Sequence, residues 1–132
     1  AGSSAGIEPL GVYADQAERK QGKGYTIRTV NGVEIALVAF TKGMNGMTLP
    51  QGSENCVNVL YTDYATTYKK VDTDGITDLL RQVAKEEPDI TIALLHWGSE
   101  YNDTISSSQK SRASSGRMSA CFVLTALKAS RK

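Results

Sequence analysis

His96 is the single histidine of a 132-residue chain, and it closes the apolar run in "ITIALLHWGSEYNDT", residues 90–104. A neutral imidazole binds divalent metals and exchanges protons near neutrality, so this side chain offers ligation or acid–base chemistry. Glu100 and Asp103 follow at short spacing, either as partners that orient the ring or as plain solvated loop carboxylates. Trp97 reads as core packing and Gly98 as a sharp turn out of the run. A bland reading stands beside the functional one: a histidine that caps a strand end and bonds to backbone. These few residues leave both open.

The elements that would position His96 are legible around it. Residues 90–95 are apolar but for Thr91, as a buried strand would be, and Pro88 and Asp89 lead directly into them. Before them, Ile76, Leu79, Leu80 and Val83 recur at helical spacing, which predicts a helix over 75–86 capped by Asp72, Thr73 or Asp74. Pro88 stops it, since proline lacks an N–H and restricts the residue before it. Further upstream, Asn31-Gly32 separates two β-rich runs and predicts a two-residue hairpin turn. The first run, 25–30, roughly alternates, as an outer strand with one wet face does. The second, 33–40, is nearly all apolar and predicts a central strand covered on both sides.

Strand, helix, strand with short connections predicts an α/β layer with a mixed, mostly parallel sheet, and places His96 at a strand's carboxyl end. In such sheets that edge is where ligands bind. Residues 41–53, rich in Gly, predict a long loop beside this edge, and "NCVNVLYTDY" holds a candidate short strand. "MSACFVLTALKA" reads as a helix with Met118, Cys121, Phe122 and Thr125 on one side.

Composition excludes several classes of function. Fifteen Lys+Arg against fourteen Asp+Glu leave a formal charge of +1, with no long block of one sign. That is no footprint for nucleic acid and no polybasic membrane patch. No stretch approaches the ~20 apolar residues of a membrane span. With 40% apolar and 22% charged residues, the chain suits one compact, soluble domain. Cys56 and Cys121 are too few for a disulfide scaffold or a zinc cage, and base rates favour two free thiols. "AGSSAG" reads as a vector-derived remnant joined to a natural chain near Ala5, so the sequence reads as a piece of something longer.

Taken together, "LLHWGSEY" resembles the His-Trp-Gly-x-Glu-Tyr block of the bacterial CapA family, the capsule or poly-γ-glutamate synthesis proteins. "AGIEPLGVYADQAER" and "VNGVEIALVAFTKGMNG" resemble upstream segments of that family in the right order, so the resemblance covers residues 5–110. It implies part of a calcineurin-like metallophosphatase fold, a layered α/β sandwich, over residues 1–110. Residues 111–132 depart from the family pattern and read as an atypical tail, frameshifted or vector-derived.

The resemblance implies, for the longer protein, a divalent-metal site of hydrolase type, with His96 as metal ligand or proton donor and Glu100 beside it. Its partners would be capsular polymer or synthase components, and its place the cell surface or the outer side of the membrane. The family's Gly-Asp, Asn-Leu-Glu, Asn-Asn-His and Gly-His-x-Pro-His blocks have no counterpart here. A two-metal site needs several carboxylates and histidines, so this chain alone is expected to be inactive and to hold no metal. The rival expectation is a non-catalytic module binding polymer or partner through loops 41–55 and 97–105, with Tyr61, Tyr64, Tyr68 and Tyr101.

Overall fold

The structure is a computed structural model that describes residues 5–98, 104, 107 and 110, and the backbone of 121–125. Asn31 and Gly32 lie at φ +52° and +82°, the left-handed pair that a tight hairpin turn requires. They join β1 (Tyr25–Val30) to β2 (Val33–Thr41), with Val30 paired to Val33 across the turn. The predicted hairpin is therefore present. A second Asn-Gly pair, Asn45-Gly46, takes the same angles at φ +52° and +80°. There Met47 donates its N–H to the Met44 carbonyl at 3.0 Å. No β-rich arms flank that second turn, so it closes one bridge and no ladder.

A short helix, α1 (Gln16–Gln21), precedes the hairpin. The sequence reading did not predict it, although Asp15 and Glu18 carry its signal: Asp15 accepts from the Glu18 N–H at 2.8 Å. The predicted later helix is α2 (Thr73–Lys85), two residues longer at its start. Asp72 caps it by accepting from the Gly75 N–H at 3.1 Å. At its far end Glu87, at φ +53°, turns the chain just before Pro88.

β3 (Ile90–His96) lies parallel to β2, and β4 (Cys121–Thr125) lies parallel to β3. The sheet order is β1-β2-β3-β4, mixed and mostly parallel, as expected. The helix expected across 118–129 is wrong for 121–125, which are strand; the rest of that span lies outside the described residues. Cys-Phe-Val-Leu-Thr is β-branched and aromatic in character, and β3 offers it an unpaired edge.

Ala36, Val38, Phe40 and Ala93 are buried on one face of the sheet, together with Leu60 and, from α2, Leu79 and Val83. Ile76 and Leu80 pack half-buried against them. Burying the two leucines and their neighbours at ~1.5–3 kcal/mol each is what holds α2 down. The other face is different. Ile35, Leu37 and Ala39 are half-buried, and Leu94 is 37% exposed. The expectation that both central strands are covered on both sides therefore fails on this face. Apolar runs report the side chains' character, whereas coverage depends on a second layer, and α2 packs on the opposite face.

The segment expected to hold a short strand instead makes single bridges with three partners. Val57 pairs with Val12, Val59 with Thr41, and Tyr61 with Val71. It takes over beside β2 where β1 has ended, which places it next to the carboxyl edge. Cys56 there is a buried free thiol.

Candidate functional site at the sheet's carboxyl edge

His96 is the last residue of β3 and is exposed. Its register partner is Thr41, the last residue of β2. The two side chains meet: Thr41 Oγ1 lies 3.0 Å from His96 Nδ1 and donates to the Gly43 carbonyl at 3.2 Å. Trp97 packs half-buried against the core, as expected, and Gly98 turns the chain at φ +97°.

Lys42 ties the loop after β2 to the loop after β3. Its N–H donates to the His96 carbonyl at 2.7 Å, and its Nζ donates to the Gly98 carbonyl at 2.8 Å. The ammonium also sits 4.7 Å from the centroid of the Tyr68 ring, a cation–π contact. Tyr68 in turn meets Tyr61 edge to face at 6.0 Å, and the Tyr64 hydroxyl accepts from the Leu49 N–H at 3.1 Å. Three of the four tyrosines expected to offer a binding surface thus brace the 41–71 loop.

Asn58 and Gly11 build the wall on the other side. Asn58 is buried and donates its Nδ2 hydrogens to the Gly24 carbonyl at 3.0 Å and the Ala39 carbonyl at 3.1 Å. Its own N–H donates to the Gly11 carbonyl, and its carbonyl accepts from Thr41. Gly11 passes so close to β2 that a Cβ there would lie 2.7 Å from the Ala39 oxygen, which excludes every side chain. Between these walls opens a cleft of about 330 Å³ lined by Leu10, Val12, Ala39, Val57, Leu94 and His96 among others. Its lining is overwhelmingly apolar, with His96, Thr41 and Asn58 as its polar side chains.

Of the residues singled out from the sequence, His96 stands where expected, and Glu100, Tyr101 and Asp103 lie outside the described residues. Thr41, Lys42, Asn58 and Gly11 were missed. Thr41 sits at the end of an apolar run and Asn58 in a segment with no periodicity, so neither carries a signal without its neighbours. A divalent metal, which the resemblance implies for longer relatives, does not fit the described residues by themselves. Protein metal sites take about three or four side-chain ligands. Among the described residues no three His, Cys, Asp or Glu side chains converge. No chemical step is assigned through a metal here.

A mixed α/β sheet with a histidine at its carboxyl edge beside an apolar cleft defines a strand-end site of the α/β class. The comparison of sequences narrows the class to a family. The model of the family described as bacterial capsule synthesis protein PGA_cap matches residues 1–116, and this chain belongs to that family. The CapA resemblance read from "LLHWGSEY" is borne out. No curated protein and no solved structure gave a significant match. Among the described residues no helix is long and apolar enough to cross a membrane.

Proposed function

We propose that this chain serves in the assembly or transfer of capsular poly-γ-glutamate at the bacterial cell surface, as part of a protein with a metallophosphatase-like sandwich. Membership of the capsule synthesis family supports the process. The sandwich is supported by a sheet that is apolar on both faces and packs α2 on one, because the second face calls for another layer. The observation that carries the site is His96 exposed at the end of β3, beside the cleft, with Nδ1 already engaged by Thr41. In the longer protein His96 would contribute one ligand or one proton-transfer group to a metal-dependent hydrolase-like centre.

A second reading, a non-catalytic module that holds a synthase partner, draws on the cleft itself. Walls of Leu10, Val12, Val57 and Leu94 suit a partner's apolar side chain better than a polyanion. The test is complementation of a capsule-deficient host with the gene that carries this sequence. Loss of polymer with His96→Ala at unchanged protein level supports the catalytic reading. Polymer retained with His96→Ala but lost with Leu94→Asp supports the binding module. Failure of the unaltered gene to restore polymer overturns the capsule assignment.

A further inference from the structure

The hydroxyl of Thr41 has one hydrogen and two neighbours within hydrogen-bond distance. One is the Gly43 carbonyl at 3.2 Å, which can only accept; the other is His96 Nδ1 at 3.0 Å, which donates or accepts according to the tautomer. If the hydroxyl hydrogen goes to Nδ1, the part-buried contact with the Gly43 carbonyl is no longer a hydrogen bond. If it goes to Gly43, the hydroxyl oxygen has lone pairs left, and Nδ1 must carry the hydrogen. Only the second arrangement makes both contacts hydrogen bonds, and unmade bonds at partly buried groups are costly.

We propose that Thr41 is a positioning residue that holds neutral His96 as the Nδ1–H tautomer, leaving Nε2 as the bare nitrogen that the site offers. The backbone supports this directly. Thr41 and His96 are register partners on parallel strands, and the Lys42 N–H donates to the His96 carbonyl at 2.7 Å. The Thr41 backbone is pinned on its other side, its N–H donating to the Asn58 carbonyl and its carbonyl accepting from Leu60. The main chain therefore keeps Thr41 beside the ring, and the hydroxyl's own contacts with the Gly43 carbonyl and His96 Nδ1 set its rotamer. An Nδ1–H ring presents a lone pair and no hydrogen at its free nitrogen. At Nε2 it accepts a proton or coordinates a cation, and it cannot donate a hydrogen bond from that nitrogen while neutral. Thr41 thus selects the class of ligand as well as the ring's position: an electron-pair acceptor or an acidic hydrogen, and not a carbonyl or phosphoryl oxygen seeking a donor.

The tautomer is measurable in the chain itself, independently of any capsule assay, so its failure is separable from failure of the proposed function. With one histidine in the sequence, the ring signals need no assignment. Long-range ¹H–¹⁵N spectra of the ¹⁵N-labelled protein, at a pH where the ring is neutral, should show a pyrrole-like Nδ1 and a pyridine-like Nε2. Thr41→Ser keeps the hydroxyl and should keep that pattern. Thr41→Val removes it, and the two nitrogens should exchange their characters, while the backbone ¹H–¹⁵N spectrum reports an intact fold. A wild-type ring that is mainly Nε2–H overturns the proposal, whatever the variants do. So does a folded Thr41→Val protein whose ring pattern matches wild type.

Discussion

Asn58→Ala is the substitution whose cost the geometry sets most directly. Asn58 is 7% exposed, and its side-chain amide donates to two carbonyls that belong to different segments, Gly24 before β1 and Ala39 in β2. Alanine removes both donors. The bond to Gly24 is buried, so that carbonyl loses its partner with no water to replace it, at ~1–3 kcal/mol. The bond to Ala39 is part-buried and opens toward the cleft, so losing it costs nearer the ~0.5–1.5 kcal/mol of an ordinary net hydrogen bond. The sum is about 1.5–4.5 kcal/mol, a large share of the ~5–15 kcal/mol that holds a domain folded. Equilibrium urea unfolding followed by circular dichroism reads it as a lower midpoint at unchanged slope. Thr62→Val is the control, since it removes an exposed bond to the Lys70 carbonyl and should stay within ~0.5 kcal/mol of wild type. Asn58→Asp should be at least as damaging as alanine, because a carboxylate sets negative oxygens against the same two carbonyls. An Asn58→Ala protein as stable as the control would refute the view that this amide locks the three segments together.

Leu79→Ala should cost ~2–5 kcal/mol by leaving a cavity between α2 and the sheet, and a loss under about 1 kcal/mol in the same denaturation assay would contradict the packing. Asp63 is held down to about 2, first by the Thr67 hydroxyl and then by the Lys69 and Lys70 N–H groups at 3.0 Å each. Its folded value lies below the unfolded one, so the contribution of this knot is complete above the ordinary ~3.9 and is lost as pH falls toward about 2. Thr67→Val should move the Asp63 titration upward in a carboxyl ¹³C experiment, and an unmoved titration would contradict the assigned cause. The 132-residue chain by itself should show no phosphatase activity and no tight binding of zinc or manganese, given one imidazole and, among the described residues, no converging carboxylates. Calorimetry showing stoichiometric binding abolished by His96→Ala would overturn that expectation.

Local chemistry was enough to read the hairpin, α2, β3 and the place of His96. Asn31-Gly32 needs only its own two residues to take positive φ angles, and the helical stripe of Ile76, Leu79, Leu80 and Val83 is written at one period. The block around His96, with two upstream segments in the right order, was enough for the family. The remainder depended on neighbours distant in sequence. Residues 121–125 became a strand because β3 had a free edge, which no periodicity within "MSACFVLTALKA" records. Asn58 and Gly11 acquired their roles from the carbonyls of Gly24 and Ala39, which approach only once the segments have packed. The same holds for Thr41. Its meeting with His96 spans 55 positions and exists because parallel register sets the ends of β2 and β3 side by side. Apolar pattern encodes which side chains seek burial, but not which face finds a cover. Among the described residues Leu94 remains 37% exposed on one face of this sheet, and it is on that face's edge that the histidine stands.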